Sequence, residues 1–226
     1  DYRDPKELGS GGSNQAGGGL VRLSVDGRLQ LEGAIAADGR SGPGRTGSGG
    51  GIHIQTPALS GGGSISARGG AGTLTFAESG GGGRIAVYAG DTSDFDTTKI
   101  TAAGGNGGGG IGGAGTVYLH DTRGADHTLI IDGGSFATTR RTPVVLDEPL
   151  PTSIVARKAQ TEAHFRSSSS SSSLTVDDGQ FTVYSVEPVH FQTVNVRNGA
   201  ILSHPAATET EEYRLELFVS GDLTID

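Results

Sequence analysis

Apolar residues along this chain come in short alternating pairs: Val21 and Leu23, Ile52 and Ile54, Ile85 and Val87, Val117 and Leu119. A spacing of two places both side chains on one face of a strand, whereas a helix would need them three or four apart. The pairs start 31, 33 and 32 residues apart. A second element of the form apolar-x-small-x-Gly follows each pair. It reads Ile35-x-Ala37-x-Gly39, Ile65-x-Ala67-x-Gly69, Ile100-x-Ala102-x-Gly104, and Leu129-x-Ile131-x-Gly133 with the small residue enlarged. Two short strands recurring at a near-constant period predict an all-β fold in which the backbone coils in one direction, without reversal, through residues 20–134. Val21, Ile52, Ile85 and Val117 then lie above one another as one ladder of the core.

Glycine runs occupy the same place in three copies, after the second strand: "GRSGPGRTGSGGG", "GGAGTLTFAESGGGG" and "GGNGGGGIGGAG". Their similar lengths, 13, 15 and 12 residues, favour packed loops, laid backbone to backbone as an extra layer beside the coil. Two alternatives are weaker. Flexible linkers are opposed by the intervening strands, and a bundle of polyproline-type helices would need glycine at every third residue. The calcium-binding nonapeptide repeat also fits poorly, because its aspartates are missing from the runs.

Beyond residue 134 only Gly179, Gly199 and Gly221 remain, each in a turn between strand-like segments: "LTVDDGQFTV", "VNVRNGAILS" and "LFVSGDLTID". The turn glycines lie 20 and 22 residues apart, which reads as a shorter coil of the same kind. An antiparallel meander of hairpins is the rival, since Asp-Gly and Asn-Gly also announce two-residue hairpin turns. The organisation expected is therefore 1–134 glycine-rich coils, 135–173 an irregular connecting segment, and 174–226 shorter coils continuing the stack. In the connecting segment, "ARKAQTEAHF" has the makeup of a turn or two of helix. Ser167 to Ser173 reads as a surface loop.

Composition narrows the function. The 226 residues contain 41 Gly and no Cys, Met or Trp. Lacking cysteine, the chain has no disulfide scaffold, thiolate zinc site or thiol nucleophile. Lacking methionine, it reads as a segment of a longer polypeptide. A net charge of −8 argues against nucleic acid as a partner, and no apolar run approaches the roughly 20 residues of a membrane span.

Candidate chemistry is sparse. His53, His120, His127, His164, His190 and His204 never fall in a metal-ligand spacing, and His53 and His120 read as surface residues. Asp91, Asp94 and Asp96 form the tightest carboxylate cluster and could ligate calcium, although a solvated turn accounts for them equally well. Glu211, Glu212 and Arg214 read as surface charge, and Arg140-Arg141 as a basic pair without a sequence partner. The outward positions of the repeated strands, Arg22, His53, Ala86, Tyr118 and Ala36, Ser66, Thr101, Ile130, gather no facing carboxylates of the glycosidase kind. No catalytic, cofactor or metal residue is assigned, and the expectation is a non-enzyme.

The passages "YRDPKELGSGG", "AGGGLVRLSVDGRLQLEGAIAADG", "GGGIHIQTPALSGGGSISARGGAG", "GGGGRIAVYA", "GGAGTVYL" and "GAILSHPAATETEEYRLELFVSGDLTID" resemble a glycine-rich repeat unit of very large secreted or surface bacterial proteins. These are similar in style to filamentous-haemagglutinin-like and pectin-lyase-like right-handed β-helices. The resemblance implies a right-handed parallel β-helix, or β-solenoid, whose glycine-rich loops form an outer layer, and an extracellular or cell-surface location. The function expected is a structural segment of an extracellular fibre or adhesin that self-associates end to end. The alternative is a glycan-binding or glycan-cleaving β-helix with cell-surface glycans as partners. That alternative would be favoured by an outward groove lined with Tyr88, Tyr118 or His53 beside carboxylates.

Overall fold

The computed structural model describes residues 1–226 apart from 14, 168–171 and 211–212. The described residues form an all-β structure of short strands. Its first half holds β1 (Leu20–Ser24), β2 (Arg28–Gln30), β3 (Ala34–Ala36), β4 (Gly51–Thr56), β5 (Ala58–Ser60), β6 (Ser64–Ser66), β7 (Arg84–Ala89), β8 (Ile100–Thr101), β9 (Asn106–Gly107), β10 (Gly110–Ile111) and β11 (Gly115–Asp121). The second half holds β12 (His127–Asp132), β13 (Arg141–Leu146), β14 (Ser153–Arg157), β15 (Gln160–Phe165), β16 (Ser173–Asp177), β17 (Gln180–Tyr184), β18 (Val189–Phe191), β19 (Thr193–Arg197), β20 (Ile201–Ser203), β21 (Leu217–Val219) and β22 (Leu223–Ile225). No helix among the described residues is long and apolar enough to cross a membrane.

One nine-stranded sheet runs the length of the molecule in the order β1-β4-β7-β11-β12-β14-β16-β19-β22. Its first four strands are parallel, and the register sets Val21 beside Ile52, Ile52 beside Ile85, and Ile85 beside Val117. The expected ladder is therefore present. A second one, Ile35 beside Ile65 beside Ile100, is carried by the sheet β3-β6-β8. Ile52, Ile54, Ile65 and Ile85 are fully buried in this first core.

The fourth copy departs from expectation. Leu129 and Ile131 do not continue the Ile35 ladder; they lie in β12, which pairs antiparallel with β11. The winding thus reverses within residues 20–134. A tight turn makes the reversal: Asp121 N–H donates to the Asp126 carbonyl at 3.0 Å, and the Asp121 carboxylate accepts from Arg123 N–H at 2.8 Å. Five residues between β11 and β12 are too few to carry the chain around a coil, so the strand folds back on itself.

The core changes sides at the same point. Directly opposed residues of an antiparallel pair share a face, and Leu129 is opposite Tyr118, not Val117. Leu129 and Ile131 therefore project to the face that carries Ala86 and Tyr118, and there a second core assembles with Ile154, Leu174, Val176, Phe181, Val194 and Val196. From β12 onward the long sheet is parallel again, and β13-β15-β17-β20 form a parallel sheet across the second core. β16 and β17 flank the Asp178-Gly179 turn but pair with strands of different sheets, so the turn is a corner and the hairpin rival is not found.

The segment 135–173 is not irregular: it contains β13, β14 and β15. "ARKAQTEAHF" makes no helix. Ile154-x-Ala156 and Thr161-x-Ala163-x-Phe165 alternate in and out of the core, and Lys158, at φ 49°, turns the corner between them. Within the serine tract, 168–171 lie outside the described residues; Ser172 is buried, its hydroxyl donating to the Pro151 carbonyl, and Ser173 opens β16.

The glycine segments are packed. Positive φ among glycines is confined to Gly61, Gly110, Gly134 and Gly199, so the runs are not rich in glycine for its conformational range. Close approach is the reason. A single file of hydrogen bonds crosses the layer, from Gly47 N–H to Arg40, Gly70 to Gly47, Gly80 to Gly70, Gly105 to Gly80 and Gly112 to Gly105, at 2.8–3.2 Å. A Cβ at Gly105 would stand 1.9 Å from the Gly70 carbonyl oxygen, and one at Gly112 1.9 Å from that of Gly80. At Gly19 a Cβ would meet nothing within 4 Å. Gly105→Ala is accordingly expected to destabilise by about 2 kcal/mol or more, as overpacking does. Gly19→Ala should be neutral or stabilising by up to about 1 kcal/mol. Denaturant midpoints check this, and equal effects at the two positions would overturn the packed-layer account.

Candidate functional site

The outer face of the first half is not an open surface. Its columns, Arg22, His53, Ala86, Tyr118 and Ser24, Gln55, Tyr88, His120, are crossed by residues 2–5. Tyr2 packs edge-on against Tyr118 with ring centroids 5.4 Å apart, and Tyr88 Oη donates to the Arg3 carbonyl at 3.0 Å. Arg22 donates to the Asp4 carboxylate at 2.7 Å. Arg3 reaches into the second half, donating to the Asp147 carboxylate at 2.7 Å and to the Pro149 carbonyl at 2.5 Å. The N-terminal segment therefore straps the two halves together. The place beside Tyr88, Tyr118 and His53 where a groove would have favoured the glycan alternative is crossed by the chain itself.

Under and beside this strap runs a row of rings. His53 and Tyr88 have centroids 5.3 Å apart, Tyr88 and His120 5.0 Å, and His120 stacks on His127 at 4.1 Å. The Tyr118 hydroxyl hydrogen-bonds His127 Nδ1 at 3.1 Å. His53 and His120, expected at the surface, are half-buried, and Tyr118, expected to face outward, is only 1% exposed. The reason is the change of core side: what is outward for the first core is inward for the second. Burial, aided by Tyr118 and opposed by Arg3, pushes the Tyr88 phenol up to about 12. Burial and then the Arg22 charge hold His53 below the ordinary histidine value, and burial and then His127 do the same for His120.

Other candidates resolve into structural roles. The Asp91 carboxylate accepts from Ser93 N–H at 2.9 Å and pairs with Arg123 at 3.6 Å. Asp96 caps a short 3₁₀ turn, Thr97–Lys99, by accepting from Thr98 N–H at 3.0 Å. Asp94 contributes its carbonyl to Gly61 N–H. Among the described residues no group of three or more His, Cys, Asp or Glu is placed to hold a metal ion. Arg140 pairs with Glu78 and Arg141 with Glu162, so neither lacks a partner. His164 stacks on Tyr184 and His190 on Phe218. His204 contacts the Pro205 carbonyl. Arg214 pairs with Glu216, while Glu211 and Glu212 lie outside the described residues.

Two features were not read from the sequence. The first is a column of alternating charge on the outer face of the second half. Asp132 is beside Arg157, Arg157 beside Asp177, and Asp177 beside Arg197. Ion pairs of 2.8 Å and 3.0 Å join the first and last of these. Asp226 follows Ile225, which is beside Val196, and its N–H donates to the Val196 carbonyl, so it extends the column. A two-residue alternation in each strand followed by Asp or Arg was the available signal. The second is a groove of about 690 Å³ over β13, β15 and β17, lined by Arg141, Gln160, Glu162, Gln180, Thr182 and Tyr184 among others. Glu162 takes the Arg141 pair and accepts from the Tyr184 hydroxyl at 3.3 Å.

The ends of the long sheet differ from its middle. Among the described residues, β1 is paired only with β4, and β22 only with β19. Val194 and Val196 are 0% and 2% exposed, yet Leu223 and Ile225, one rung further on the same ladders, are 54% and 70% exposed. At the other end Val21, Leu23, Leu29 and Ile35 are half-buried, while their next-rung neighbours Ile52, Ile54, Leu59 and Ile65 are buried.

The histidine row generates a pH dependence. A folded-state pKa below the unfolded value of about 6.5 means that the folded protein binds the proton less readily. Its contribution is intact above about pH 6.5 and is lost as pH falls below that value. The depressed carboxylates, Asp4 at about 2 through Lys6 and Arg22, and Asp96 and Asp177 also lowered, act in a separate window, beginning near pH 4. Melting temperature should therefore fall in two limbs on acidification, and replacing His53 and His120 by Gln should flatten the limb between pH 7 and 5. An unchanged profile would refute the assignment.

Comparison of the chain with protein-family models, with curated proteins and with solved structures returned no match.

Proposed function

We propose that the chain is a structural segment of an extracellular bacterial fibre or adhesin, a right-handed β-solenoid with a glycine-rich outer layer whose two parallel halves meet at the antiparallel pair β11-β12, and that it associates end to end through its open rungs. The resemblance to glycine-rich repeat units of large secreted or surface bacterial proteins supports the location and the role. The observation that carries the reading is the contrast along each ladder: core positions are sealed in the interior and unsealed at β1 and β22. An unpaired strand edge with apolar ladder tops is a template for another strand. Fully burying an aliphatic side chain is worth about 1.5–3 kcal/mol.

A second reading rests on the groove over β13, β15 and β17. Tyr184 offers a ring face backed by His164, with Arg141, Glu162, Gln160 and Gln180 around it, a mixture suited to binding a polar ring such as a sugar. Among the described residues its lining holds one carboxylate, Glu162, and the reading drawn from it is glycan binding. Loss of glycan-array signal in Tyr184→Ala would support this reading, and a blank array with the unaltered chain would remove it.

For the leading reading, light scattering of the unaltered chain should show mass rising with concentration. The variant carrying Leu223→Lys and Ile225→Lys should remain monomeric, with a melting temperature within a few degrees of the parent because both positions are already exposed. A monodisperse monomer at every concentration would defeat the proposal.

A further inference from the structure

We infer that stacked copies are related by close to a half-turn about the long axis of the sheet, so that β22 of one copy meets β1 of the next as a parallel pair with one continuous core. The inference rests on the end-to-end reading and specifies its geometry. Its basis is the junction at β11 and β12, which changes two things at once. Strand sense reverses, since β1, β4, β7 and β11 run one way and β12, β14, β16, β19 and β22 the other. The core also moves to the opposite face. A coil's hand is fixed by strand sense, axial direction and outward normal taken together, so reversing sense and normal together leaves the hand unchanged. The second half is the first half turned over, not its mirror image.

The two ends of one chain consequently present strands of opposite sense with cores on opposite faces. Stacking by simple translation would bring β22 against β1 antiparallel, with Leu223 and Ile225 on the face where β1 carries Arg22 and where residues 2–5 already lie. Tail-to-tail pairing of two β22 strands about Thr224 would set Asp222 opposite Asp226 twice, and like charges directly opposed are destabilising. A half-turn avoids both faults. It aligns β22 and β1 in sense and brings Leu223 and Ile225 over Val21 and Leu23 of the neighbouring copy. It also places the neighbour's Arg22 beside Thr224, on the face where β22 is flanked by the carboxylates Asp222 and Asp226. The twist of the sheet adds to or subtracts from the half-turn.

The chain has no cysteine, which makes cross-linking clean. Adjacent strands lie about 4.8 Å apart, within the Cα separation of a disulfide. Under oxidation, a mixture of chains carrying Thr224→Cys with chains carrying Arg22→Cys should give one covalent dimer, and a chain carrying both should give a ladder of oligomers. Neither single variant alone should cross-link. Dimers from Thr224→Cys alone would establish tail-to-tail contact and overturn the inference. Helical averaging of electron micrographs of the unaltered chain supplies a test free of substitutions. A rotation per subunit near 180° supports the half-turn, and one near zero overturns it while leaving end-to-end association standing. Scattering that shows no association at all would sink both together.

Discussion

The in-register pairing of the long sheet is the constraint from which everything else follows, because it is the layer that the two cores share. Val117 and Tyr118 are neighbours in β11, yet one belongs to the first core and the other to the second. A slip of one residue at any strand would exchange the inward and outward sets, and in β7, β11 and β12 it would damage both cores, since both faces of these middle strands carry core residues. That is why Ala86 and Tyr118 are buried on a face where Arg22, two and three strands away, is exposed. The sequence moves from polar to apolar along this column as the second core begins.

The glycine layer solves a different problem. Between the second strand of one copy and the first of the next, the chain makes an excursion out and back, and successive excursions must fit the strand spacing of the sheets beside them. Side chains would hold these segments apart. With glycine at Gly70, Gly80, Gly105 and Gly112, each backbone accepts a hydrogen bond from the next at about the distance that strands would use. The result is a third layer made of main chain, with Thr46 donating its hydroxyl to the Gly70 carbonyl as one of the few side chains inside. Order in such a layer is costly in backbone entropy, and it is sustained by the rungs that anchor both ends of each excursion.

Much of this was legible in the sequence. The ladder Val21, Ile52, Ile85, Val117, the ladder Ile35, Ile65, Ile100, the packed glycine runs and the corner at Asp178-Gly179 all follow from period and residue type. The reversal at β11 was not, because Leu129-x-Ile131-x-Gly133 copies the second-strand pattern, and only the five-residue turn before it betrays that there is no room for a coil. The strands of 135–173 were obscured by prolines and by a stretch rich in helix formers, although Ile154-x-Ala156 and Ala163-x-Phe165 carry the two-residue alternation. The burial of Tyr118 was hidden for a further reason: Tyr2 packs on it, crossing from the far end of the sequence, and no local pattern records that contact.

In the proposed end-to-end assembly, the ends would set how strongly copies hold one another. The half-buried or exposed ladder residues at β1, β2, β3, β20, β21 and β22 are individually worth about 1 kcal/mol when sealed, less than the full transfer value because part of their area is already covered. Together they offer on the order of 10 kcal/mol, which is comparable to the 4–15 kcal/mol that association costs in lost freedom of motion. A net charge of −8 adds repulsion between copies, screened within about a Debye length. Free chains would therefore join reversibly. Joining the same units covalently raises their effective concentration to the millimolar range, and a contact too weak to hold free subunits for long then suffices to keep a tandem array stacked. A weak, geometrically exact end face is thus better suited to building a long ordered polymer than a strong one, since misaligned contacts can dissociate and correct themselves.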